Sequence, residues 1–173
     1  MELDQLQVFP APRVRPAAVR IGPSTDARFV EKTDTTHADD LQGPPDGLPG
    51  LYAGRRPRLY QQPLRKHTWS SDLAAPKELP AVAIVYAYVG LTADDVCRLA
   101  QGKAGLVITG LGHGKMPEPV WQALQSLMEQ GLVVVRAARA LGGMVTQVPA
   151  YDGTVTADSL TPQKAKILLQ LAL

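Results

Sequence analysis

The chain has 173 residues, and its 18 Lys or Arg residues against 16 Asp or Glu residues leave a formal net charge of +2. So small a charge supports neither a nucleic-acid nor a membrane-surface partner, and the single cysteine, Cys97, excludes an intrachain disulfide. The length predicts one domain, or one domain with an arm. No apolar run approaches the roughly 20 residues of a membrane helix, and the first residues lack the pattern of a signal peptide. With a single cysteine, the cytoplasm is the default expectation for the compartment.

Residues 1–79 are predicted to be an N-terminal arm and linker, irregular or partly extended. Prolines interrupt residues 1–29, and prolines and glycines punctuate residues 38–80, as is typical of connecting segments. Basic residues between positions 55 and 66 surround Tyr60, a composition that is compatible with binding of single-stranded nucleic acid. We expect instead a solvated or ion-paired surface, because no nucleic-acid-binding signature accompanies the charges.

Residues 30–37 are dense in reactive side chains. If this segment is extended, Lys32, Asp34 and Thr36 share one face. A threonine with a neighbouring base can act as an activated nucleophile, which makes Lys32, Thr35 and Thr36 candidate catalytic residues. The alternative interpretation is a polar strand whose threonines form local hydrogen bonds.

Residues 80–173 alternate between strand and helix signals and are predicted to form an α/β domain. Apolar, β-branched runs predict the strands, and amphipathic segments that follow capping or proline residues predict the helices. Short joins favour a small parallel sheet with right-handed crossovers, β-α-β-α-β plus a C-terminal helix, in three layers. The predicted strands lie at 82–89, 106–108 and 132–135. The predicted helices lie between Thr92 and Gly102, at 119–130 and from Thr161 onward. Val155 is a candidate for a short additional strand.

Gly110, Gly112 and Gly114 form a glycine loop between the second strand and the second helix of this domain. Glycines let the backbone turn tightly and come close to another group. In an open parallel sheet, ligands bind at the carboxyl ends of the strands, where this loop is expected. Thr109 precedes the loop, whose backbone N–H groups could stabilise an oxyanion. Thr109 is therefore a further candidate nucleophile, with a threonine that caps the turn as the alternative.

Six segments of the chain match a set of motifs in order and spacing. Residues 30–36 are similar to V-x-K-T-x-T-T, 63–68 to P-x-R-K-H-T, 79–86 to L-P-x-V-x-I-V-Y, 110–115 to G-x-G-N-G-N, 135–139 to V-R-S-S-R and 160–173 to L-N-P-Q-K-A-R-x-L-L-Q-L-A-L. Together they resemble the C-terminal half of the bacterial L-asparaginases. The resemblance implies that family's linker and smaller C-terminal α/β domain. It also implies hydrolysis of asparagine, or of glutamine, by a homo-oligomer that uses neither cofactor nor metal.

In that family the C-terminal domain reaches into a neighbouring subunit's active site through the second asparagine of G-N-G-N and a downstream glutamate. The two asparagine positions are His113 and Lys115 here, and Asp152 is the acid nearest the place of the glutamate. The resemblance therefore implies that His113, Lys115 and Asp152 bind substrate. A lysine ammonium can pair with a substrate carboxylate, but it cannot copy the donor and acceptor pattern of an amide.

Two functional hypotheses follow from this resemblance. The family's nucleophilic threonine lies in a T-G-G-T-I loop, and a second threonine, an aspartate and a lysine come from an H-G-T-D-T region. Neither pattern occurs in these 173 residues. The first hypothesis is a short-form asparaginase, active as an oligomer, with a local threonine nucleophile. The second is a non-catalytic asparaginase-type domain that serves as an oligomerisation or partner module.

Overall fold

The computed structural model describes residues 28, 30–36, 41–42, 50–53, 56–59 and 78–173. The chain divides into two units, residues 1–66 and residues 67–173. In the first unit, β1 (Glu31–Lys32) pairs antiparallel with β2 (Leu41–Gln42), and β3 (Gly50–Ala53) pairs antiparallel with β4 (Arg56–Leu59). The boundary expected at residue 79 stays a prediction, and the side chains of the basic cluster between positions 55 and 66 lie outside the described part of the chain.

The extended segment predicted over residues 30–37 is shorter in the structure. β1 ends at Lys32, and the backbone bends at Thr35 and Thr36. Oδ1 of Asp34 accepts hydrogen bonds from the Thr36 backbone N–H at 2.7 Å and from the Thr36 hydroxyl at 3.0 Å. This is an Asx-turn, in which the aspartate side chain competes with strand pairing. The expectation that Lys32, Asp34 and Thr36 share one strand face is therefore wrong.

The second unit contains a four-stranded parallel sheet in the order β5 (Val82–Tyr86), β6 (Gly105–Gly110), β7 (Val133–Ala138) and β8 (Val155–Thr156). Helix α1 (Ala93–Ala100) connects β5 to β6, α2 (Glu118–Glu129) connects β6 to β7, and α3 (Pro162–Ala172) follows β8. The parallel α/β fold predicted from the alternation of strands and helices is confirmed. β8 adds a fourth strand at the place proposed for Val155.

Two apolar cores cover the two faces of this sheet and account for its three layers. Alternate residues of β6 point to opposite faces, so Leu106 and Ile108 pack with α1 and α2, whereas Val107 packs with α3. All six residues of β6 are buried, as expected for a central parallel strand that is covered on both sides. At roughly 1.5–3 kcal/mol for each fully buried Val, Leu or Ile side chain, this strand is a main source of stability for the unit.

The boundaries of all three strands predicted with a range differ in the structure. β6, at Gly105–Gly110, is longer at both ends than the predicted 106–108. β5 ends at Tyr86 instead of residue 89, because the next residues turn toward α1. β7 continues to Ala138 instead of ending at residue 135, because its parallel register with β6 extends to Gly110. Arg136 lies inside that extension and is fully buried, contrary to the ordinary exposure of arginine. Because a charged residue interrupts the apolar pattern at this position, the sequence predicts a strand that is shorter than the one in the structure.

The helix starts follow the predicted capping residues only in part. At α1, Thr92 Oγ1 accepts the Asp95 N–H at 3.2 Å, and Asp95 Oδ2 accepts the Thr92 N–H at 3.1 Å, which completes a capping box. At α3, the Thr161 side chain does not cap, and its buried hydroxyl has no hydrogen-bond partner among the described residues. Thr161 therefore occupies the N-cap position at the predicted start of α3, but its side chain does not form the expected capping bond. Of the helices described, none is both long and apolar enough to cross a membrane.

Candidate functional site

The glycine loop, residues 110–115, is a tight turn closed by its own ends. Leu111 and Lys115 exchange two backbone hydrogen bonds of 2.9 Å, each donating its N–H to the other's carbonyl. Between them, His113 adopts φ 61° and ψ 23°, and Gly114 adopts φ 72°, so both residues lie in the left-handed region. Gly110 permits the closure, since a Cβ on it would lie 2.2 Å from the carbonyl carbon of Gly114. The loop therefore depends on glycine where the backbone folds back on itself.

A buried arginine contacts this loop from β7. Nη1 of Arg136 donates to the His113 carbonyl at 2.8 Å, and Nη2 donates to the Thr146 carbonyl at 2.7 Å. Its guanidinium carbon lies 4.8 Å from the centre of the Tyr151 ring, within cation–π range. Burial lowers the pKa of Arg136 and the nearby Tyr151 opposes that change, but arginine stays protonated at physiological pH. A permanent cation therefore joins the glycine loop to the residues that follow β7.

These residues, 144–152, form the tyrosine loop. The Thr146 backbone N–H donates to Nε2 of His113 at 3.0 Å, and Thr146 Oγ1 lies 2.9 Å from the same nitrogen. Near the other end of the loop, the Tyr151 hydroxyl accepts the Met116 N–H at 3.3 Å. Because a backbone N–H can only donate, Nε2 of His113 is the acceptor of this hydrogen bond. The tyrosine loop is thus tied to the glycine loop and its continuation at two places.

The three residues predicted to bind substrate lie on these two loops and are exposed. Nε2 of His113 already accepts a hydrogen bond from Thr146. No residue in the described part of the chain pairs with the Lys115 ammonium. Asp152 lines an open cavity of about 350 Å³ together with Gln147, Val148 and Pro149. Because Arg136 contacts both loops, the structure brings the loop of Lys115 and the loop of Asp152 to the same edge of the sheet.

The four residues predicted to be catalytic fall into two places. Thr109, in β6, is fully buried, and its hydroxyl donates to the Val85 carbonyl at 3.1 Å. Since this hydroxyl bonds to the neighbouring strand instead of opening to the loop, its nucleophilic role stays a prediction that the geometry does not support. Lys32, Thr35 and Thr36 belong to the first unit and have exposed side chains.

Comparison with known proteins places the second unit in a family. Residues 81–173, more than half of the chain, match the glutaminase/asparaginase C-terminal domain. The chain belongs to the glutaminase/asparaginase family.

Comparison with three relatives shows what share of their length this chain covers. It is 35% identical over 155 residues to L-asparaginase 2 of Escherichia coli strain K12, 36% identical over 155 residues to L-asparaginase 2 of Bacillus subtilis strain 168, and 35% identical over 138 residues to the glutaminase-asparaginase of Pseudomonas fluorescens biotype A. The matches cover 86%, 85% and 75% of this chain but 44%, 40% and 38% of those proteins. The chain therefore spans about two fifths of the length of these asparaginase relatives.

Sequence reasoning missed two residues at the centre of this candidate site. Arg136 stands alone among apolar residues of β7, and an isolated charge within a β-branched run was the signal that could have found it. Tyr151 ends a short 3₁₀ helix that begins at Pro149 and carries no comparable signal in the sequence. Its ring nevertheless contacts both Arg136 and Trp121, the latter edge to face at 5.1 Å. Within the described residues, no three His, Cys, Asp or Glu side chains are grouped as metal ligands would be.

Proposed function

We propose that this chain acts as an L-asparaginase-type amidohydrolase, which converts asparagine to aspartate and ammonia. The observation that carries the proposal is the pairing of two loops at the carboxyl edge of the sheet, with exposed Lys115 on one and exposed Asp152 on the other. Asparagine carries an α-carboxylate and an α-ammonium group on the same carbon, so opposite charges on the two loops match the two charged groups of the substrate. Membership of the glutaminase/asparaginase family supports an amide as the substrate class.

Glutamine is the expected second substrate. It differs from asparagine by one methylene group, and a pocket discriminates such a difference by only about 1–3 kcal/mol. One of the relatives is a glutaminase-asparaginase by name. The cavity beside Asp152 is open, which favours acceptance of the longer side chain.

Thr36 is the preferred nucleophile among the three candidate threonines. Its exposed hydroxyl donates a hydrogen bond to the Asp34 carboxylate at 3.0 Å, which is within the reach that a general base requires. Attack of Thr36 Oγ1 on the side-chain amide carbon would form an ester and expel ammonia, with Asp34 taking the hydroxyl proton and returning it to the leaving nitrogen. Water would then hydrolyse the ester and release aspartate. Thr35 is the second candidate, and the ammonium of Lys32 would stabilise the developing negative charge.

The proposed active form is a homo-oligomer in the cytoplasm. Ile167 and Leu168 leave large exposed apolar surface on α3, and apolar surface of this kind suits contact with another chain. The compartment is proposed from the low cysteine content, with Cys97 as a free thiol.

A non-catalytic asparaginase-type domain is the second candidate, and the burial of Thr109 favours it. The chain covers only 44% of the Escherichia coli relative, so residues outside this region could supply the nucleophile in longer proteins. Such a domain would bind an amide or its carboxylate product through Lys115 and Asp152 and would offer that surface to another chain.

The decisive experiment measures ammonia release from asparagine and from glutamine by highly purified protein. The expression host must lack its own asparaginases, because Escherichia coli K12 has an L-asparaginase related to this chain. The variants Thr36→Val, Thr35→Val, Thr109→Val and Lys115→Ala are purified in the same way. We expect Thr36→Val to abolish ammonia release, Thr109→Val to retain it, and Lys115→Ala to raise KM about tenfold or more. Mass spectrometry of the acid-quenched reaction should find an aspartyl ester on Thr36.

The outcomes separate the two candidates. Equal ammonia release from every variant would assign the activity to a contaminant and contradict the proposed hydrolysis. No ammonia release, together with measurable binding of L-aspartate that Lys115→Ala weakens, would support the non-catalytic domain.

A further inference from the structure

Burying the charged side chain of Arg136 costs free energy, and the packing of the strand does not by itself explain why an arginine stands there. Removing an arginine from water is unfavourable unless the charge is fully paired. Its partners in the described part of the chain are two backbone carbonyls and an aromatic face, and its Nε has no hydrogen-bond partner there. An apolar residue in the same strand would avoid this cost, so the position has a use beyond packing.

The partners of Arg136 belong to different segments. Nη1 bonds to the carbonyl of His113 in the glycine loop, and Nη2 bonds to the carbonyl of Thr146 in the tyrosine loop. A guanidinium is a rigid, planar fork, so its two donors set the spacing of these two carbonyls. Tyr151, the residue before Asp152, lies against the guanidinium. Its hydroxyl accepts the Met116 N–H, which adds a third connection, between the tyrosine loop and the residue that follows the glycine loop.

The glycine loop is shaped to receive this arginine. Gly114 has φ +72°, and a Cβ there would lie 2.9 Å from Arg136 Cγ and 3.3 Å from Arg136 Nη1. Contacts this short leave no space for a side chain at position 114. Arg136 and Gly114 are therefore complementary, and the loop closes directly on the stem of the arginine.

We propose that Arg136 is a positioning residue, which fixes Lys115 relative to Asp152 by clamping together the two loops that carry them. The effect on substrate rests on the proposed function, whereas the clamp itself is a property of the free protein. Lysine at this position keeps the charge but lacks the planar fork that holds two carbonyls at once. Arg136→Lys and Arg136→Met should therefore both release the loops.

The experiment uses NMR on the full chain. Backbone order parameters are measured for the glycine loop and for Thr146 in the unaltered protein and in both Arg136 variants. We expect values near 0.85 in the unaltered protein and below about 0.6 in the variants, while β6 up to Thr109 keeps its rigidity. In the unaltered protein, restricted rotation should give separate, slowly exchanging signals for the Arg136 Nη protons. L-aspartate should bind the variants about tenfold more weakly, or worse, because the site is no longer preorganised.

Two control variants separate positioning from stability. Arg139→Lys alters a neighbouring arginine whose Nη1 donates to the Ala87 carbonyl at 2.9 Å, outside both loops. Leu169→Ala removes buried atoms from the core under α3, on the other face of the sheet from the cluster that Tyr151 packs against, and lowers the unfolding midpoint. Both should leave the loop order parameters unchanged.

Rigid loops in both Arg136 variants would overturn the proposal. If neither variant folds, the Arg136 Nη signals of the unaltered protein provide the test. Separate, slowly exchanging signals support the clamp, and one averaged, fast-exchanging signal overturns it. If the unaltered protein binds no L-aspartate, the proposed function fails, but the order parameters still decide whether Arg136 clamps the loops.

Discussion

At the scale of the residue, His113 has a left-handed backbone conformation and accepts two hydrogen bonds, one at its carbonyl and one at its ring. Its φ of 61° is unfavourable for a residue with a Cβ. Its carbonyl accepts from Arg136, and its ring accepts from Thr146. The histidine is thus a structural part of the loop junction, and its role in substrate binding stays a prediction.

The left-handed backbone gives a prediction for His113. Both His113→Gly and His113→Ala remove the imidazole, but only alanine retains a Cβ. We expect the glycine variant to be more stable than the alanine variant by about 1 kcal/mol, the reverse of the usual order. Urea unfolding followed by circular dichroism measures the difference, and an alanine variant as stable as the glycine variant would show that φ is not positive there.

At the scale of the element, the end of β6 needs one particular glycine. A Cβ on Gly110 would collide with the backbone of Gly114 and Lys115, whereas a Cβ on Gly112 meets no atom within 4 Å. The two glycines therefore look equivalent in the sequence but have different roles in the structure. Gly110 permits the loop to fold back, and Gly112 is simply part of the turn.

The pair Gly110→Ala and Gly112→Ala tests this assignment. We expect Gly110→Ala to lower the free energy of unfolding by about 1–3 kcal/mol because the loop must shift. Gly112→Ala should stay within about 0.5 kcal/mol of the unaltered protein. Denaturant unfolding of the two variants side by side measures both values, and equal midpoints would refute the close contact at Gly110.

Helix α1 provides a pH-dependent prediction at the same scale. Hydrogen bonds from the Thr92 side chain and backbone lower the pKa of Asp95. A lowered pKa in the folded state means that the ionised carboxylate stabilises the fold above its unfolded pKa of about 3.9, and that this contribution is lost as the pH falls through the folded value.

Thr92→Ala should raise the pKa of Asp95 toward its ordinary value and remove the N-cap, which is worth about 1 kcal/mol. Titration of the Asp95 carboxyl carbon by NMR measures the first effect, and thermal unfolding at pH 7 measures the second. Thr109→Val, far from the cap in the sequence, serves as a control for the titration. An Asp95 titration that does not change in Thr92→Ala would contradict the capping box.

At the scale of the whole molecule, the fold could be predicted where hydrophobic runs and turn residues agree. β6 is covered on both faces, so Leu106, Val107 and Ile108 form a continuous apolar run and its strand signal is strong. The end of β7 could not be predicted, because Arg136 satisfies its charge through tertiary contacts that leave no local trace. The Asx-turn at Asp34 was missed for a similar reason, since a side-chain hydrogen bond overrode the β-propensity of the threonines.

The position of the glycine loop was predicted, but the contacts that hold it were not. The parallel topology brings the glycine loop to the carboxyl edge of the sheet, and this consequence follows from element order alone. The tyrosine loop joins that edge through Arg136 and Tyr151, neither of which the motif pattern marked as a site residue. Thr109 shows the opposite case, a residue next to the loop whose hydroxyl bonds to a neighbouring strand.

The central claim is that Lys115 and Asp152 on the two joined loops bind a small amino acid that carries an amide or a carboxylate. The most direct measurement is an NMR titration of the full chain with L-aspartate, with Lys115→Ala and Asp152→Asn as variants and Lys103→Ala as the control. We predict saturable shifts of the backbone amides of Lys115 and Asp152, abolished in both variants and retained in the control. Shifts that are absent from these amides, or equally strong in Lys115→Ala, would contradict the claim.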